Sequence, residues 1–75
     1  MTNNNDISCK IVEHIAVLST NESGWQKELN RVSWNGGVAK FDIRQWDETH
    51  EKMSKGITVT ADEMQIICQA LADRF

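Results

Sequence analysis

Between Trp25 and Trp46 three tryptophans (Trp25, Trp34, Trp46) are interleaved with four cations, Lys27, Arg31, Lys40 and Arg44. Lysine and arginine neutralise phosphates, and a flat indole stacks on any base, so this mixture suits an unpaired nucleic-acid strand. The segment holds two anions, Glu28 and Asp42, and is therefore +2, whereas the whole chain is -3 and the remainder -5. A basic face on an acidic body is the arrangement this implies, because local potential rather than net charge governs contact with a polyanion. Asp42, placed among the cations, reads as a pairing residue for Arg31, Lys40 or Arg44 and not as a general base.

A β-hairpin would position these groups. Two runs rich in Val, Ile, Phe and Trp flank Asn35-Gly36, the dipeptide that best tolerates the positive φ angles of a type I′ turn. With those two residues at the turn centre, Trp34 pairs with Gly37, Arg31 with Lys40, Lys27 with Arg44 and Trp25 with Trp46. One face then carries Trp25, Lys27, Leu29, Arg31, Val38, Lys40, Asp42, Arg44 and Trp46, and the other carries Val32, Ala39, Phe41 and Ile43 as core. Like charges directly opposite cost stability, a cost that an anionic ligand would offset. A three-residue turn through Asn35, Gly36 and Gly37 gives a second register, one residue away, with Arg31 opposite Phe41 and Trp34 opposite Val38.

The remaining elements follow from pattern. Ile11 to Ser19 is a β-rich first strand, Thr20 to Gly24 its turn, Trp25 to Trp34 and Val38 to Trp46 the hairpin strands, and Lys55 to Thr60 a short fourth strand after the charged connection Asp47 to Ser54. Thr60 and Glu63 have capping-box spacing, and Met64, Ile67, Cys68 and Leu71 recur at helical steps behind them. The expected class is α+β: a four-stranded antiparallel curved sheet followed by one C-terminal helix, ββββα, the helix covering one face. Ile66 and Ala70 widen the helix's apolar surface beyond a narrow stripe, which points to a partner helix in a homodimer, the alternative being a broad core face.

A chain of 75 residues supports one domain with a modest core, assigned here to residues 9–75 behind a polar tail, residues 1–8. Nothing in the sequence reads as a leader or a membrane span, so the expected setting is the cytoplasm, nucleoid-associated if bacterial, with no membrane partner. Catalysis is not expected: His14 and His50 have no adjacent nucleophile, and Cys9 and Cys68 are too far apart to make a zinc site. No metal, cofactor or small-molecule substrate is expected, the acidic stretch Asp47, Glu48, His50 and Glu51 being read as solvated.

Four pieces, RVSWNGG, FDIRQW, KGITV and the helix after ADE, occur in order from about Lys27 to Leu71. In this series the chain resembles the positive cofactor four family of transcriptional coactivators, whose C-terminal domain binds single-stranded DNA, and within it the small bacterial YdbC branch. The resemblance implies a homodimer of ββββα subunits cradling single strands, with the helices supporting the dimer. By position it assigns Arg44 and Lys55 to the strand, with Trp34 at the hairpin tip and Trp46 at the aromatic end of the motif. Together with the hairpin cations, the candidate nucleic-acid-binding set is Lys27, Arg31, Trp34, Lys40, Arg44, Trp46 and Lys55. The expected function is sequence-tolerant single-stranded DNA binding, in transcription regulation or in DNA repair or replication. The alternatives are RNA binding and a protein-interaction module that docks an acidic partner.

Overall fold

The computed structural model describes residues 8–75. Four strands, β1 (Cys9–Thr20), β2 (Gln26–Trp34), β3 (Lys40–Trp46) and β4 (Ile57–Val59), precede one helix, α1 (Ala61–Leu71). They form a single antiparallel sheet in chain order, the ββββα architecture expected from the sequence. The expected loose tail falls, apart from Ser8, outside the described residues. Ser8 is bonded both ways to Asn35, its amide donating to Oδ1 and its carbonyl accepting from the Asn35 amide.

The hairpin turn is of the expected kind, but the strand register is the second one. Asn35 and Gly36 have φ of 53° and 76°, and the Gly37 amide donates to the Trp34 carbonyl, closing a type I′ turn. Beyond it, however, Val32 pairs with Lys40, Arg31 with Phe41, Glu28 with Arg44 and Gln26 with Trp46. Three residues, Gly37 to Ala39, oppose two, Ser33 and Trp34, and the Ser33 hydroxyl donates to the Gly37 carbonyl at 2.6 Å. This local bulge moves every later pair by one position. The expected single face is thereby divided: Glu28, Asn30, Val32 and Trp34 share a face with Lys40, Asp42, Arg44 and Trp46, while Lys27, Leu29 and Arg31 share the other with Phe41 and Ile43.

β1 is bulged three times, between Ile11 and Glu13, His14 and Ala16, and Val17 and Ser19. One extra residue at each bulge converts the two-residue alternation into a three-residue one, so Ile11, His14 and Val17 oppose Val32, Asn30 and Glu28 in turn. Bulges bend a strand and raise its twist, and on an edge strand they also discourage pairing with another sheet.

The face that carries Lys40, Asp42, Arg44 and Trp46, all expected in solvent, is the better covered one. Val32, Trp46 and the polar trio Glu28, Asn30 and Asp42 are all buried, and all lie on it. The connection from Asp47 to Gly56 helps to close it: Trp46 bridges Met53, the Ser54 amide donates to the Gln45 carbonyl, and the His50 ring lies beside that of Trp46. By contrast, α1 buries none of its residues, and Ile66 on it is 64% exposed. Its start is as expected: the Thr60 hydroxyl accepts from the Glu63 amide at 3.1 Å, and the Glu63 carboxylate accepts from the Thr60 amide at 2.9 Å. The helix therefore forms where its cap dictates without covering the sheet within one chain.

Candidate nucleic-acid interface

The motif FDIRQW builds its own lock. Asp42 and Arg44 are two apart on β3 and so project to the same face. Arg44 Nε and Nη2 donate to the two carboxylate oxygens of Asp42 at 2.6 and 2.8 Å, a bidentate pair with both side chains largely out of water. Asp42 also accepts from the Thr58 hydroxyl on β4 at 3.2 Å, which satisfies a further lone pair of this fully buried carboxylate. The other edge of the guanidinium donates from Nη1 to the Ser54 carbonyl at 3.3 Å, and its plane lies over the Trp34 ring with Cζ 4.6 Å from the centroid. Arg44 thus joins the hairpin tip, the third strand and the connection that leads to Lys55.

Gly56 is the second half of this lock. A Cβ at that position would sit well inside contact distance of the Arg44 Cβ and of the Ile43 carbonyl, with Arg44 Nε at 3.0 Å. The Lys-Gly step therefore lets β4 approach the Arg44 side chain closely and presents Lys55 in water just before the strand begins.

The seven candidate residues do not form one surface. Trp34, Lys40 and Arg44 lie together on the buried face, Lys40 in water, Trp34 half-buried and Arg44 with 12% of its side chain exposed. Lys27 and Arg31 are on the opposite face, where Arg31 pairs with Glu13 of β1 at 3.3 Å. Trp46, expected in solvent, is 2% exposed and belongs to the core. The indole N–H groups of Trp34 and Trp46 are buried without an acceptor among the described residues. Trp25 is half-buried beside the Asn21 turn, in which Asn21 Oδ1 accepts from the amides of Ser23 and Trp25.

Sequence reasoning passed over the polar cluster around Glu28. This carboxylate accepts from Asn30 Nδ2 at 3.0 Å and from His50 Nε2 at 2.9 Å, and His14 Nδ1 stands 3.5 Å from it. The signal was present as polar residues at 28 and 30, in step with the core residue Val32, but the assumed register hid it. Asp47 organises the connection: its carboxylate accepts from the amides of Glu51 and Lys52 and from the Thr49 hydroxyl. The Lys52 amide above all holds the Asp47 carboxyl below its ordinary pKa of 3.8. Among the described residues no cluster of three or more His, Cys, Asp or Glu side chains could hold a metal ion, and no helix is long and apolar enough to cross a membrane.

Comparison with known proteins fits this geometry. An uncharacterized protein of Treponema pallidum (strain Nichols) is 41% identical over 61 residues, which cover 81% of this chain and 72% of the relative. The family model described as Transcriptional Coactivator p15 (PC4) matches residues 21–70, from the Asn21 turn through the hairpin and the Arg44–Gly56 lock into α1. The chain therefore belongs to the PC4 family, a family of nucleic-acid-binding, non-enzymatic domains known for binding single-stranded DNA.

Proposed function

We propose that this protein binds single-stranded DNA with little base selectivity, as a homodimer, in the cytoplasm and in the service of transcription or of exposed strands in repair and replication. The observation that carries the reading is the Trp34–Arg44 pair, an aromatic ring and a guanidinium in contact at 4.6 Å on one sheet face, with Lys40 on the same face in water and Lys55 in water just before the Gly56 that packs on Arg44. The lysines neutralise phosphates, and the partly open Trp34 ring gives a base a surface to stack on. Arg44, committed to Asp42, chiefly fixes the ring and the connection while adding charge beneath the strand. Lys27 and Arg31, on the far face, steer the polyanion at longer range. Trp46 supports the sheet from within.

An uncovered apolar cleft on the other side of the molecule supports the homodimer. Ile57, Val59, Ile66 and Ile67 line an open cleft of about 350 Å³ between β4 and α1, and Ile57 and Ile66 are each more than half exposed. A small domain gains by covering such a surface, and a second copy offers a self-complementary one.

Titration of oligo-dT at several salt concentrations, read by anisotropy and tryptophan quenching, tests the function. Wild type should bind the strand far more tightly than a duplex of equal length. Lys40→Ala and Lys55→Ala should each lower affinity and flatten the salt slope by about 0.7. Trp34→Ala should lose about 1–3 kcal/mol per stacked base. Equal affinity for strand and duplex at one salt concentration would sink the reading, and tighter binding of oligo-rU would reassign it to RNA.

A further inference from the structure

A cleft of about 300 Å³, separate from the Trp34–Arg44 pair, opens on the same sheet face and is lined by Ile11, His14, Gln26, Glu28 and His50. At its floor the Glu28 carboxylate, 1% exposed, meets an imidazole from each side, His14 on β1 and His50 in the connection. His50 reaches it from a left-handed backbone conformation, φ 61°, which costs a residue with a Cβ energy and is held here by the ring's bond to Glu28 and its packing on Trp46.

The hydrogen bonds set both tautomers. Asn30 spends its amide nitrogen on Glu28, so the Oδ1 that meets His14 Nδ1 at 2.7 Å is an acceptor, and Nδ1 must carry the proton. His50 Nε2 faces a carboxylate oxygen and likewise donates. The basic nitrogens left over are His14 Nε2 and His50 Nδ1, on rings that are about half exposed. Each ring can therefore take up a proton without breaking a bond it already makes.

Other charges do not cancel the gain. Arg44, opposite Glu28 on β3, is committed to Asp42, and Glu13 of β1 faces away and pairs with Arg31. The connection brings Asp47, Glu48, Glu51 and Lys52 near His50 in the chain, with the Asp47 carboxylate turned to its own loop amides. Neither β4 nor α1 contributes a titratable group to the lining. With neutral rings the cleft carries the single negative charge of Glu28; with both protonated it carries a net positive one.

We propose that His14 and His50, set on either side of Glu28, form an acid-switched phosphate-binding subsite that extends the Trp34–Lys40 surface. The inference rests on the single-strand reading above, and it adds that a further phosphate of the strand is held at this cleft when the rings are charged. Affinity then rises as pH falls, and binding in turn favours the protonated rings.

The experiment compares oligo-dT affinity at about pH 8 and about pH 5.5 at fixed ionic strength, thymine itself not titrating in that range. Wild type should gain roughly threefold to tenfold at the lower pH, the effect of two half-exposed ion contacts. His14→Gln with His50→Gln should show no gain in affinity at the lower pH over its own affinity at the higher. In the wild-type protein, the imidazole proton resonances of both residues should titrate at higher pH with oligo-dT bound than without it, a readout independent of the variants' folding. Binding at both pH values with no wild-type gain, or ring titrations indifferent to oligo-dT, would overturn the subsite while leaving the single-strand reading intact. Absence of binding at either pH would overturn both.

Discussion

At the scale of single residues, the Asp42–Arg44–Gly56 arrangement explains why an aspartate, an arginine two positions on and a distant glycine belong together. The charges are buried as a bidentate pair, and the glycine makes room for the backbone that closes over them. Gly56→Ala should therefore lower stability by about 1–3 kcal/mol, the usual cost of forcing a methyl group into a filled space, as a denaturant midpoint would show. If that midpoint does not move, β4 is not held against Arg44 as described. Asp47 supplies a pH prediction. The Lys52 amide, first among its partners, lowers its pKa in the folded chain, so the stabilisation it lends the connection is fully present above 3.8 and is lost as pH falls through the folded value. Amide exchange at Glu51 and Lys52 should quicken over that acidic range, and Asp47→Asn should remove most of the pH dependence.

Among the elements, α1 is the part whose formation and packing come from different sources. Its capping box is complete within the chain, with acidic Asp62 and Glu63 in the first turn where the helix dipole favours them. Thr60→Ala should cost about 1 kcal/mol, seen as a lower melting temperature with loss of helical circular dichroism. The same change leaving both untouched would mean that packing alone sustains the helix. β1 shows the converse. Its apolar run was legible as a strand, yet the three bulges that decide which side chains face β2 carry no glycine or other local mark in the sequence. Their places show only in the pairing with β2, where each leaves one residue of β1 unopposed.

Across the whole molecule, apolar surface is distributed unevenly. The buried face is closed by polar side chains and a connection, whereas the cleft beside α1 stays open. In the proposed homodimer this cleft is the seam. Ile66→Glu should then yield a monomer by sedimentation equilibrium, with a lower melting point, because it places a carboxylate in the centre of that surface. A variant that sediments as wild type would move the interface elsewhere. The PC4 match likewise extends over several elements, residues 21–70 running from the Asn21 turn through the hairpin and the Arg44–Gly56 lock into α1.

The sequence by itself determined the order of four strands and one helix, the type I′ turn at Asn35-Gly36, the helix cap at Thr60 and the family. Each of these depends on contacts a few residues apart or on a pattern that survives without exact pairing. Only the tertiary structure decided which residues share a face. A single extra residue between the turn and Lys40 sends Lys27 and Arg31 to one side and Lys40 and Arg44 to the other. The covering of Trp46 and the face it shares with Glu28 and Asn30 follow from the same cause. Strand alternation has a period of two, so a one-residue slip inverts every side chain, and whether a slip occurs is settled by cross-strand bonds such as that from Ser33 to Gly37.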